Sequence, residues 1–351
     1  MENRLAWQQP GPSQRPSTLR RAGSFIGGVI PILIIAALMY GAFFVKPSVH
    51  TVGMSRPAIE QRDLFYGVVM PADGTILAVG NFGKIIVSKD GGATWSPQSS
   101  GVAASLQSIA AWDSNRAVAV GNNLTAIYTS DGGENWVDAE VDTTSESINK
   151  LVRVRALAGG HAIAVGEFGV ILASDDFGAS WQAISAGEDV SWNDVAPLDA
   201  STSLIVGEFG RIEITSDGGE TWTQIPSPVK SSLNSVFFRD RQNGIAVGTE
   251  GVVLSTTDGG ATWTQLPVPT QQHIFDVMWD GGRWVLTGDK GLLLFGSADA
   301  KNWTDMSQLT DSGWHTQTSA RNGVYALAGR GGVGIIDRAR TARKAERSDD
   351  Q

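Results

Sequence analysis

A short apolar segment ending in glycine recurs seven times along this chain, and that repeat constrains the fold more than any other feature. The closing glycines are Gly80, Gly121, Gly166, Gly207, Gly248, Gly288 and Gly329, spaced by 41, 45, 41, 41, 40 and 41 residues. Most are followed by x-x-Gly and a second apolar run, as in Gly80-Asn81-Phe82-Gly83 and then Ile85-Ile86-Val87. A box comes next, Ser88-Lys89-Asp90-Gly91-Gly92-Ala93-Thr94-Trp95 in the first unit. The same spacing pairs Asp131 with Trp136, Asp176 with Trp181, Asp217 with Trp222 and Asp258 with Trp263. In the sixth unit Asp299 and Trp303 lie one residue closer and both glycines are gone; the seventh has no box and ends at Asp337.

Each unit has room for four short strands, and units of about 40 residues with four strands stack radially as propeller blades. The expectation is an all-β, seven-bladed β-propeller with Asp-box repeats over 47–337. The last unit stops before its outer strand, so that strand is expected from about 50–60, closing an otherwise open edge. In the box, the Ser/Thr and Asp side chains bond turn amides and glycine supplies positive φ. The Trp then packs between neighbouring strands. These Asp residues are read as turn chemistry, not as calcium ligands or acid catalysts.

Ahead of the repeat, residues 25–45 carry no charge. As a helix at ~1.5 Å per residue they reach about 31 Å, enough to cross a hydrocarbon core. Arg4, Arg15, Arg20 and Arg21 precede the stretch and only Lys46 follows closely. The expectation is one transmembrane helix in the cytoplasmic (inner) membrane, N-terminus inside, propeller in the periplasm or outside. Residues 1–24 and 338–351 read as disordered tails. Residues 47–337 carry 17 basic and 32 acidic side chains, a poor match for phosphate backbones, so nucleic acid is not an expected partner. With no Cys, disulfides, thiolate metal sites, a cysteine nucleophile and a lipid-modified cysteine are excluded.

Units of the form V-G-x-x-G-x-I-x-x-[S/T]-x-D-G-G-x-T-W resemble the seven-bladed propellers of the photosystem II assembly-factor type. The resemblance covers about 47–337, and the helical anchor and acidic body point to the non-photosynthetic bacterial branch. It implies a chaperone-like binder that holds a new membrane subunit while a complex is built. Some bacterial relatives accompany exporters of the resistance–nodulation–division class, so a resident exporter subunit is the alternative. Other Asp-box proteins are glycan-active, which makes a glycan-binding or glycoside-hydrolysing propeller the third reading.

The residues favour binding over catalysis. A sialidase-type site needs an Arg trio, a Tyr nucleophile with a Glu partner, and an acid/base Asp. Glu167 and Glu208, at one position in adjacent units, are the best carboxylate pair available. His161, His273 and His315 have no partner at ligand spacing. No catalytic residue, metal or cofactor is assigned, and no small-molecule substrate is expected. The turns after the closing glycines should share a face with the inter-blade links, opposite the boxes. That face would carry Phe82, Phe168, Phe209, Glu167 and Glu208. Trp192 and Trp314 would enter the inner strands there, with Phe65, Leu106, Leu151, Leu233 and Ile274 at the same place in the other blades. Either the rings fold over inter-blade gaps as core, or they form an aromatic patch for a membrane protein or complex.

Overall fold

The computed structural model describes residues 30–41, 43, 57–142, 150–185, 189–310, 313–330 and 332–337. The chain divides into two compact units, Met1–Arg56 and Pro57–Gln351. In the first, residues 30–41 are helical, and Ile32, Leu33, Leu38 and Tyr40 are exposed. Among the described residues no helix is long and apolar enough to cross a membrane. Residues 25–29, 42, 44 and 45 of the expected span, like the tails 1–24 and 338–351, lie outside the described residues.

The second unit is a ring of seven sheets, one per repeat, antiparallel but for one added strand in the third blade. The fourth blade shows the pattern: Trp192–Pro197, Ser203–Gly207, Ile212–Thr215 and Thr223–Ile225, hydrogen-bonded in that order. The other inner strands are Phe65–Ala72, Leu106–Ala111, Leu151–Ala156, Leu233–Phe238, Ile274–Trp279 and His315–Arg321. The second strands are apolar on both faces because neighbouring blades cover them; Ser203–Gly207 is buried throughout. Every inner strand has an irregular register between its first and third residues, as between Trp192 and Asp194. Such a bulge re-aims the side chains that follow it.

The recurring glycine has a steric cause. A Cβ on Gly80 would lie 2.0 Å from the carbonyl oxygen of Leu64, and one on Gly207 2.3 Å from that of Ser191. No side chain fits there, so each second strand must end in glycine to lie against its inner strand. The ring closes between its first and last blades. The Thr316 hydroxyl donates to the Tyr66 carbonyl (2.9 Å), the Met70 N–H donates to Ser319 Oγ (3.1 Å), and Phe65 shares a core with Ala326 and Ala328.

Two features depart from a uniform repeat. Among the described residues the seventh blade has three strands, His315–Arg321, Val324–Gly329 and Gly332–Asp337. Of the segment expected to supply a fourth, 50–56 lies outside the described residues, and 57–60 carries no strand. Ala58 and Ile59 instead pack on the core shared with Val333 and Ile335. In the second unit the outer stretch divides. Val137–Asp138 completes its own blade, whereas Glu140–Asp142 runs parallel to Ser180–Ala183 as a fifth strand of the third blade. The long 45-residue spacing supplies the chain for this clasp.

Candidate functional site

The turns after the closing glycines share one tight geometry. Asn81–Gly83, Glu167–Gly169 and Glu208–Gly210 are single 3-10 turns, each closed by an N–H to C=O bond such as Lys84 to Asn81 (3.1 Å). Each central residue is left-handed: Phe82 φ 55°, Phe168 φ 55°, Phe209 φ 56°. Glu250 and Lys290 take the same place in the fifth and sixth blades, at φ 60° and 53°. For a bulky L-residue that conformation costs roughly 1–2 kcal/mol, and glycine or asparagine relieves it. The three rings are also exposed, at 77%, 46% and 72%. Strained backbone beneath exposed aromatics is a pattern of functional sites rather than of core.

The flanking acids do something different. One Glu208 carboxylate oxygen accepts the Ser191 N–H (3.0 Å), as Asn81 Oδ1 accepts the Leu64 N–H (3.1 Å). The first turn residue therefore ties its turn to the start of the inner strand. One oxygen of Glu208 thus anchors the strand start, while Glu167 holds the same turn position in the preceding blade.

Trp192 is core, 1% exposed, with the Arg211 guanidinium 5.1 Å from its ring centre. This removes Trp192 from the aromatic patch and gives it the other reading, core, because the first inner-strand residue packs between blades. In the last blade that place belongs to His315, which pairs with Gly329 as Trp192 pairs with Gly207. Trp314 precedes the strand and stacks on Tyr66, ring centres 5.8 Å apart and 8° from parallel. The second inner-strand residues, among them Tyr66, Asn193, Asn234 and Phe275, line an axial mouth of about 160 Å³. Asn193 and Asn234 each donate to the next blade, to the Leu233 and Ile274 carbonyls (both 2.8 Å).

Beneath this mouth lies a buried polar plug. Arg153 reaches from the third blade to Asp276 of the sixth (3.2 Å) and approaches Asp194 of the fourth (3.6 Å). Arg155 holds Asp194 through Nε and Nη2 (3.1 and 2.6 Å), and Ser235 Oγ donates to Asp194 (2.7 Å). Burial works to raise the pKa of Asp194, but Arg155 and Arg153 outweigh it and hold it below the usual range. Burial pushes Asp276 up, against the same two cations. Only three of the seven third-position residues, Arg153, Asp194 and Asp276, are charged, so the local pattern carries no sign of the plug.

The boxes lie on the opposite face, beside the turns between first and second strands, where the Gly91 N–H donates to the Gly74 carbonyl (2.8 Å). Ser88 Oγ donates to Asp90 Oδ1 (2.8 Å) and accepts the Gly92 N–H (2.8 Å), while Asp90 accepts the Thr94 N–H (2.9 Å). Hydrogen bonds from Thr94 and Ser88 lower the Asp90 pKa to about 2; the Asn135 amides and Thr129 do the same for Asp131. Asp176, Asp217, Asp258 and Asp299 are lowered too. These carboxylates are committed to local turns. Among the box tryptophans, Trp181 and Trp263 are buried and donate to Gly178 and Gly260 carbonyls (3.0 and 3.1 Å). Trp95, Trp136, Trp222 and Trp303 are half-buried.

The family described as "Photosynthesis system II assembly factor YCF48" matches residues 101–226 and 220–312. Among solved structures, one described as "YCF48 bound to D1 peptide" superposes with a TM-score of 0.66 at 17% identity, covering 79% of this chain and 92% of that one. YCF48 from Cyanidioschyzon merolae gives 0.65 at 15% identity, covering 80% and 97%. The WD40 β-propeller domain of Doa1 gives 0.65 at 14%, covering 80% and 95%. At these identities the likeness establishes the fold. No curated protein matches in sequence.

Proposed function

The chain belongs to the photosystem II assembly factor YCF48 family, and from that premise we propose that it is a non-catalytic propeller holding a protein partner on the face bearing Phe82, Phe168 and Phe209. The observation carrying this reading is the pairing of left-handed backbone with exposed aromatic rings at one turn position in three blades. A solved YCF48 holds a D1 peptide, which supports a polypeptide as the occupant. Aromatic anchors of this kind dominate protein interfaces.

The proposal includes a membrane anchor at 25–45, N-terminus in the cytoplasm and ring outside, with a membrane protein or complex as the partner under assembly. The uncharged stretch and the arginines before it support this. An anchor would raise the effective concentration of the ring near such a partner. The enzyme reading draws no support from Glu208, one oxygen of which is engaged by the Ser191 N–H.

A photo-crosslinking phenylalanine analogue at position 82, 168 or 209 should trap one and the same protein. The analogue at Thr94 or Thr262, on the box face, should not. Equal trapping from both faces would contradict the assignment. A reporter fused after Gln351 should be active only outside the cytoplasm; cytoplasmic activity would refute the orientation.

A further inference from the structure

On the box side of the plug the axial channel widens into a cavity of about 730 Å³. Its wall includes the fifth residue of each inner strand, Val69, Ala110, Ala196, Phe237, Met278 and Ser319 around Arg155, with Gln317 and Thr318 beside them. Ala110, Ala196 and Ser319 leave space at this level. Two charged groups at the rim are already paired, Asp199 with Arg241 and His161 with Asp175. Arg155 is not used up. Its Nε and Nη2 hold Asp194, but Nη1 has no partner among the described residues, and the side chain is 21% exposed. Asp194 also accepts the Val195 N–H (2.8 Å), the Val236 N–H (3.1 Å) and the Ser235 hydroxyl (2.7 Å), so its charge is neutralised from several sides.

We propose that this cavity binds a single saturated acyl chain, seated head-down with its terminal carboxylate on Nη1 of Arg155. The volume lies in the range of ligand pockets, which combine apolar walls with a few placed polar groups. The carboxylate is chosen because the open donor is a guanidinium, which recognises carboxylates through charge-assisted bonds. An alkyl chain is chosen over a peptide because five of the wall side chains offer no donor or acceptor and the polar ones are engaged: Ser319 Oγ accepts the Met70 N–H (3.1 Å), Gln317 bonds Ser108 and the Ile109 carbonyl (3.1 and 3.0 Å), and Thr318 bonds Thr287 (2.8 Å). A peptide inserted there would bury backbone N–H and C=O groups facing those side chains without partners, whereas methylenes need none.

The test adds [1-13C]decanoate to the full chain held in an amphipathic polymer and follows the carboxyl resonance. A saturable bound resonance at one equivalent is expected. Dodecanoate should displace it about tenfold more tightly, since each buried methylene strengthens binding roughly three- to fourfold. Decanol should compete at least tenfold less well. Ala110→Phe, which fills the cavity without touching the plug, should abolish the resonance; Ala196→Leu serves if the first variant does not fold. Arg155→Met should weaken binding at least tenfold. Absence of a bound resonance overturns the proposal, as does a resonance that both wall variants leave unchanged. An apolar peptide amide that displaces decanoate equally well would assign the cavity to polypeptide and overturn the acyl chain.

Discussion

Phe82, Phe168 and Phe209 combine two conditions that each disfavour an aromatic, a left-handed backbone and contact with water. Nothing local requires them, since Glu250 and Lys290 make the same turn. Phe209→Asn should therefore stabilise the ring by about 0.5–1 kcal/mol, a fraction of the usual left-handed penalty. Denaturant unfolding checks this, and a loss of 1 kcal/mol or more would show that the ring is core. The box carboxylates make a second residue-scale prediction. Asp90 and Asp131 sit at about 2 against an ordinary 3.8. A depressed folded pKa gives stability that is complete above the unfolded value and is lost as pH falls through the folded one. The melting temperature should be flat above about pH 5 and fall between roughly pH 4 and pH 2, less steeply in Asp90→Asn. A profile that is level across that window would remove the boxes from the acid response.

Among the elements, the closing glycine set strand phase in advance because its cause is a contact with the neighbouring strand, repeated in every blade. The same rule would have placed His315 in the inner strand; hydrophobicity pointed one residue early, to Trp314. The clasp of Glu140–Asp142 onto the third blade left only a length signal, because strand partners across blades are not written in local pattern. The plug was illegible for a related reason. Arg153, Asp194 and Asp276 are far apart in sequence, and only ring closure brings them together. Five of the box tryptophans looked equivalent and only Trp303, in its shortened box, stood apart; the structure separates the five as well. Trp181→Ala or Trp263→Ala should cost ~3–5 kcal/mol, as for large buried aromatics. Trp222→Ala and Trp303→Ala should cost roughly half as much, because both rings are half-buried and their Nε1 has no acceptor among the described residues. Equal losses at all four positions would contradict this ranking.

For the whole molecule, the first and last blades meet at a seam where Ala58 and Ile59 pack on the same core as Val333 and Ile335. A chain beginning at Asp63 should melt at a lower temperature than one beginning at Pro47, with fast amide exchange confined to Gly332–Asp337. Identical melting would show that the seam holds without its N-terminal cover. The ring presents two unlike faces, one of turns with strained aromatics and one of boxes whose polar groups are already satisfied. That asymmetry is why the partner is assigned to the turn face. The most direct measurement of that assignment replaces Phe82, Phe168 and Phe209 together by Asn. Thermal stability and recovery of the native partner from membranes are then compared with the parent. The account predicts an equal or higher melting temperature with partner recovery reduced at least tenfold, since a central aromatic anchor contributes about 2 kcal/mol or more. A stable triple variant that recovers its partner undiminished would contradict it.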